Sequence, residues 1–179
     1  MRVTGGEARG RRLKAPPAGV RPTSDKVRAA IFDALEAQGV DDSRVLDLYA
    51  GSGALGIEAL SRGAGTCDFV ERSAQNAAVI RENLSLAGQS ERGRVHRFGV
   101  EHAAERLQGP YSLILADPPY DDPAAPAALE RVAQSALVAP DATLVLEHSS
   151  RREAPEALGP LALRWSRRYG DTQVSIYRR

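Results

Sequence analysis

The chain has 179 residues, 42% hydrophobic and 26% charged, with a formal net charge of +1. That is about one soluble domain, and no apolar run approaches the roughly 18–20 residues needed to span a bilayer. A single cysteine, Cys67, excludes an internal disulfide framework, and three scattered histidines (His96, His102, His148) without an H-E-x-x-H pattern argue against a metal site.

The N-terminal stretch MRVTGGEARGRRLK lacks the apolar region of a signal peptide, so the expected location is cytoplasmic. The near-zero net charge conceals an asymmetry. Residues 1–28 carry eight Lys/Arg against Glu7 and Asp25, while the remainder holds 16 basic and 21 acidic residues. A basic arm on a mildly acidic body is the distribution expected when one end grips phosphates. Gly5-Gly6 and Gly10, between Val3 and Leu13, suggest a turn in a short hairpin rather than a loose tail. The chain therefore divides into an arm over 1–22 and one domain over 23–179.

APPAGVRPTSD follows as a turn-rich connector in which Thr23 or Ser24 can cap the next helix, with Asp25 in its first turn. Val27, Ile31, Ala34 and Leu35 share a helical face, and Gly39 follows its end. From there strands and helices alternate: strand 44–49, helix 54–63, strand 67–71, helix 73–87, strand 94–98 and a short helix at about 101–107. A strand over 112–116, a helix over 123–138 and a strand over 142–148 complete the alternation, and the tail places two strand-like runs around Gly170-Asp171. Alternation of this kind predicts a parallel sheet covered on both faces, and the closing hairpin adds an antiparallel edge.

Two motifs carry chemistry. DLYAGSGALGIEAL sets Gly51, Gly53 and Gly56 in G-x-G-x-x-G spacing between a strand and a helix. The first glycine permits the tight turn, the second lets a ligand approach the backbone, and the third lets helix and strand pack closely. Glu71 ends the next strand, where an acid can accept hydrogen bonds from ribose hydroxyls. That pair alone would suit NAD. Asp47, however, puts a carboxylate where a dinucleotide's pyrophosphate would sit, which favours a cofactor bearing a cation.

The second motif is SLILADPPYDD, an apolar strand ending in Asp117, Pro118, Pro119 and Tyr120. Successive prolines fix φ and remove two N–H donors. The Pro118 carbonyl and the Asp117 carboxylate can then both accept hydrogen bonds from one amino group. Such bonds favour a tetrahedral nitrogen whose lone pair faces an electrophile. Tyr120 offers a stacking face for a base drawn out of its stack, worth about 1–3 kcal/mol. Guanine N2, adenine N6 and cytosine N4 all fit this clamp. Methylation at cytosine C5 would need a cysteine nucleophile, and Cys67, at the start of its strand, reads as a buried small hydrophobe.

Together, D-x-Y-A-G-S-G, the acid after the second strand and DPPY resemble the class I S-adenosylmethionine-dependent methyltransferases. RVTGGEARGRRLKAPPAGVRPTSDKVRAAIFDAL, VLDLYAGSGALGIEALSRGA, DPPY and YGDTQVSIYRR resemble the bacterial RsmD family nearly end to end. The resemblance implies a Rossmann-like α/β domain with a mostly parallel seven-stranded sheet, helices on both faces and an antiparallel C-terminal strand. It implies transfer of methyl from S-adenosyl-L-methionine to N2 of a guanine in 16S rRNA. The partner would be the small ribosomal subunit, with ribosomal proteins helping to form the docking surface, and the enzyme would act as a monomer. Carried over by position, Asp47, Tyr49, Gly51, Gly53, Glu71, Arg72, Glu101 and Asp117 would hold the cofactor. Asp117, Pro118, Pro119 and Tyr120 would hold the guanine. Arg9, Arg11 and Arg12 would grip RNA phosphates, with Arg21 and Thr23 at the junction of arm and body. Where such enzymes usually carry Asp or Asn for the adenine amino group, this chain has Val100, leaving Glu101 or a backbone group for that task. Arg164, Arg167 and Arg168 beside Trp165 fit either an extension of the RNA surface or an exposed sheet face. The rival readings are a DNA amino-methyltransferase and a non-catalytic RNA-binding module.

Overall fold

The computed structural model describes residues 1–16 and 24–179, so Arg21 and Thr23 lie outside the described residues. Of the two candidate caps, Ser24 is seen to act: its hydroxyl accepts a hydrogen bond from Val27 N–H at 3.2 Å and opens α1 (Asp25–Ala37). Such a cap contributes about 1 kcal/mol. Next come β1 (Arg44–Leu48), α2 (Ala54–Arg62), β2 (Thr66–Val70), α3 (Ala74–Ala87) and β3 (Gly93–His96). A 3₁₀ turn (Val100–His102) leads into α4 (Ala103–Arg106), β4 (Tyr111–Ala116), α5 (Ala125–Ala133) and β5 (Val138–Ser149). The chain closes with β6 (Ala157–Leu158), β7 (Leu161–Tyr169) and β8 (Thr172–Arg178).

Among the described residues one sheet holds every strand, in the order β3-β2-β1-β4-β5-β8-β7-β6. β1 to β5 run parallel, and β8 inserts antiparallel between β5 and β7. The sheet has eight strands rather than seven; the extra one is the two-residue β6 at the edge. The helix expected over 123–138 stops at Ala133. The Ser135 hydroxyl donates to the Val132 carbonyl at 2.8 Å and accepts from Leu137 N–H at 3.2 Å, diverting the backbone from the helix. The apolar residues beyond extend β5 instead, with Val138 beside Tyr111 of β4.

α1, α2 and α3 cover one face of the sheet around Ile31, Leu60 and Ile80, and α5 covers the other around Leu129 and Val132. The basic arm is folded onto the first face. Arg2 and Arg12 pair in an antiparallel bridge, and Val3, Ala8 and Leu13 are buried in the same core. Glu58, fully buried on α2, clasps the arm: it accepts from Thr4 N–H at 2.9 Å, Thr4 Oγ1 at 2.6 Å and Gly5 N–H at 2.8 Å. Gly6, at φ +74°, lies so close to the Ser61 carbonyl that a Cβ there would sit 1.7 Å from its oxygen. Arg28, one of the cations tallied in the basic N-terminal segment, is fully buried and paired with Glu58 at 3.2 Å and Asp25 at 2.8 Å. It holds the fold together and is not presented to a polyanion. Burial pushes the Glu58 carboxyl up, but hydrogen bonds from Thr4 and Arg62, with Arg28 close by, outweigh it and hold it below the usual range.

Candidate active site

A cavity of about 670 Å³ opens at the carboxyl ends of the parallel strands, the end at which doubly wound sheets take their ligands. β1 supplies Asp47, and the chain turns sharply after it: Tyr49 has φ +57° and Gly51 φ +56°. A non-glycine residue in that region costs about 1–2 kcal/mol, and strain of this kind gathers at functional sites. A Cβ on Gly51 would have only the Tyr49 carbonyl oxygen near it, at 3.9 Å, so this backbone faces open space in the cavity. Gly53 lies behind the turn, not on the cavity wall; its Cβ would meet Ile80 at 3.0 Å. Gly56 is where helix and strand touch, since a Cβ there would come within 2.4 Å of Phe69 and 2.6 Å of the Cys67 sulfur. Ligand approach thus belongs to the first glycine, and close packing to the second and third. Cys67 is buried, and burial raises its thiol well above the ordinary range.

Asp47 is 1% exposed, and one of its oxygens accepts from Gly56 N–H at 2.9 Å. Burial pushes its carboxyl up to about 8, with Glu71 adding to the rise and the Gly56 amide opposing it. The Glu71 carboxylate is held at both oxygens, by Gly51 N–H at 2.9 Å and Ser73 N–H at 2.7 Å. Arg72 and Glu101 are exposed at the rim of this half, and buried Val100 lines it with Phe98 and Gly99.

The other half is built on β4. Leu48 and Ala116 are partners across β1 and β4, so Asp47 and Asp117 stand at the ends of neighbouring strands and face one cavity. Asp117 N–H reaches the Leu48 carbonyl at 3.5 Å, which keeps the corner close to β1. Pro118 is buried, Pro119 exposed, and Tyr120 37% exposed with its hydroxyl 2.9 Å from that of Thr172. Asp122 N–H donates to the Pro119 carbonyl at 3.1 Å, closing the turn.

The structure adds residues that the motifs did not name. Glu147, 5% exposed, enters from the end of β5, and Tyr169 and Thr172 enter from the β7–β8 hairpin. The signal for Glu147 was available: the neighbouring strands β2, β1, β4 and β5 each carry an acid within two residues of the carboxyl end, Glu71, Asp47, Asp117 and Glu147. With Glu101, Asp121 and Asp122 these make an acidic lining, answered among the described residues by Arg72 alone. Such a wall favours a ligand bearing a positive charge and repels phosphate. Arg9, Arg11 and Arg12 are exposed on the arm and do not line the cavity; the arm reaches it through Pro16. Among the described residues no group of three or more His, Cys, Asp or Glu is placed to hold a metal ion, and no helix is long and apolar enough to cross a membrane.

A family model described as conserved hypothetical protein 95 matches residues 1–178. The chain is 38% identical over 183 residues to YlbH of Bacillus subtilis, spanning 100% of this chain and 99% of that protein. It is 28% identical over 180 residues to ribosomal RNA small subunit methyltransferase D of Escherichia coli K12, spanning 100% and 90% of the two chains. The solved structure of yhhF from Escherichia coli superposes with a TM-score of 0.87 at 28% identity, covering 100% of this chain and 97% of that one. The fold is that of the class I methyltransferases. On the match along nearly its whole length, the chain belongs to the conserved hypothetical protein 95 family, the RsmD family.

Proposed function

We propose that this protein transfers methyl from S-adenosyl-L-methionine to the exocyclic N2 of a guanine in 16S rRNA, acting on the small ribosomal subunit. The observation that carries the reading is the meeting of the glycine loop and the DPPY corner across one cavity, Asp47 and Asp117 standing on neighbouring strands. Membership of the RsmD family supports the substrate class.

The residues present fit the cofactor. The acidic lining suits its ammonium and sulfonium charges, Glu71 is oriented to accept from ribose hydroxyls, and Phe98 and Val100 offer apolar surface to the adenine ring. When bound, that group supplies an electrophilic methyl on sulfur. The chain's own part is positioning. Asp117 and the Pro118 carbonyl accept hydrogen bonds from the base amino group and turn its lone pair toward the methyl. Tyr120 stacks on the base. Asp117 stands ready to take up the proton that nitrogen loses, and the buried wall behind it keeps water from competing.

The test offers methyl-labelled S-adenosylmethionine with unmodified small subunits, naked small-subunit rRNA, bulk tRNA and duplex DNA, and identifies labelled nucleosides by mass spectrometry. N2-methylguanosine, chiefly from subunits, is the expected result. Methyladenine or methylcytosine from DNA would keep the clamp and overturn the substrate, and no transfer to any of the four would overturn the assignment.

A further inference from the structure

The acidic lining poses a problem for a nucleic-acid substrate. A neutral base can enter, but the phosphates on either side of it must be held outside, on cations at the rim. The arm supplies cations along one approach, through Pro16. A second set lies where the loop after β5 meets the end of the β7–β8 hairpin, past β5 in the sheet, whereas the arm packs on α2 and α3. Arg151 and Arg152 are exposed in that loop, and Arg167 and Arg168 are exposed at the end of β7. None of the four is in an ion pair among the described residues. The loop and the hairpin turn are joined: Ser150 N–H donates to the Asp171 carbonyl at 2.9 Å, and Ser150 Oγ to that of Gly170 at 3.2 Å.

Alternation along β7 puts Arg167 and Arg168 on opposite faces of the hairpin. The Arg167 guanidinium lies 5.5 Å from the centre of the Tyr169 ring, which lines the cavity, and Arg168 Nε donates to the Gly170 carbonyl at 2.7 Å. Two residues beyond Gly170, Thr172 meets the Tyr120 hydroxyl. The four arginines therefore ring a turn that touches the base pocket itself.

We infer that the β7–β8 hairpin end and the loop after β5 form a second phosphate-binding jaw, which holds the substrate RNA strand on the side of the cavity opposite the arm. This rests on the RNA methyltransferase reading above. The nucleotide to be modified would then be gripped from two sides while its base enters the acidic cavity.

Two double charge reversals test it, R151E/R152E and R167E/R168E, read by direct binding of small subunits and of naked small-subunit rRNA at two salt concentrations and by methyl transfer. Arg164→Glu serves as the control, because it lies four residues, about 13 Å, down the same strand from Arg168. Each double variant is expected to weaken RNA binding about tenfold or more at low salt and to flatten the salt dependence by one to two phosphate contacts. Cofactor affinity and turnover at saturating substrate should stay near the wild type. Binding and salt dependence unchanged in both double variants would overturn the jaw. An equal loss in Arg164→Glu would overturn it too, since net charge alone would then explain the effect. Wild-type protein that binds the RNA but methylates neither it nor small subunits would defeat the catalytic reading and leave the jaw to be decided by the binding data. Wild-type protein that binds neither the naked RNA nor small subunits would sink the jaw outright.

Discussion

In the glycine-loop half of the cavity, Asp47 and Glu71 are buried and tied to backbone amides of the same βαβ unit, at Gly56, Gly51 and Ser73. In the DPPY half, Asp117 is partly exposed, Pro119 and Tyr120 are exposed, and the tyrosine hydroxyl meets that of a threonine 52 residues away. The first arrangement is as rigid as the fold and suits a small ligand of constant shape. The second stands on side chains from separate elements and can shift a little, which suits a base delivered by a large substrate. Binding of the small ligand and capture of the base should therefore fail separately when residues are changed.

The largest expected effect lies in the second half. Asp117→Ala should lower turnover at least 100- to 1,000-fold, the scale of removing a group that acts in the transition state, while leaving cofactor affinity within about twofold. Calorimetry beside single-turnover transfer checks this. Wild-type turnover in that variant would end the clamp mechanism, and lost cofactor binding would show that the halves are not separable.

Asp47 gives the matching test of the first half. Its carboxyl, at about 8, keeps its proton at neutral pH in the free protein, and a cationic ligand beside it must drive the proton off. Cofactor affinity should then rise with pH, by up to about tenfold per unit below pH 8, with release of up to one proton. Calorimetry in two buffers of different ionisation heat counts that proton, and Asp47→Asn should remove both the proton and the slope. The stability of the free protein should run the other way. A raised folded pKa contributes fully below the ordinary carboxylate pKa and is lost as pH climbs through about 8, so the Tm should fall more from pH 5 to pH 8 in the wild type than in Asp47→Asn.

Much of this division could be read before the structure. Parallel strands buried on both faces show as apolar runs, and the caps and glycines between them mark the helices, so the alternation and both motifs stood out. Pairings between distant segments were not legible. Val138 looks like the last residue of α5, and only its place beside Tyr111 of β4 makes it strand. Arg28 looks like one more cation of a basic segment until Glu58, thirty residues on, is brought against it. Thr172 and Tyr169 enter the site because β8 inserts beside β5, a choice of neighbour that no local pattern encodes.

A smaller effect is expected where the substrate first touches the protein. Reversing Arg11 and Arg12 to Glu should weaken binding of small subunits or their RNA about tenfold, more at low salt than at high, with cofactor affinity unchanged. The arm is clasped by Glu58 and buries Val3, Ala8 and Leu13, so the fold should survive the change. Equal affinity for wild type and variant at two salt concentrations would remove the arm from the RNA surface.

The smallest effect is the most specific to the second half. Thr172→Val keeps the shape of the side chain but loses the oxygen 2.9 Å from the Tyr120 hydroxyl. A neutral hydrogen bond contributes about 0.5–1.5 kcal/mol, so the KM for RNA should rise by a factor of roughly two to ten. Tyr120→Phe should cost at least as much, and the double variant less than the two single losses together, because the two hydroxyls share a bond. Thr172→Ser should restore the wild-type KM, and cofactor affinity should not move in any of the four. Losses that add would mean that each hydroxyl has its own partner. The base half would then be held as firmly as the cofactor half, and the contrast between them would rest on exposure alone.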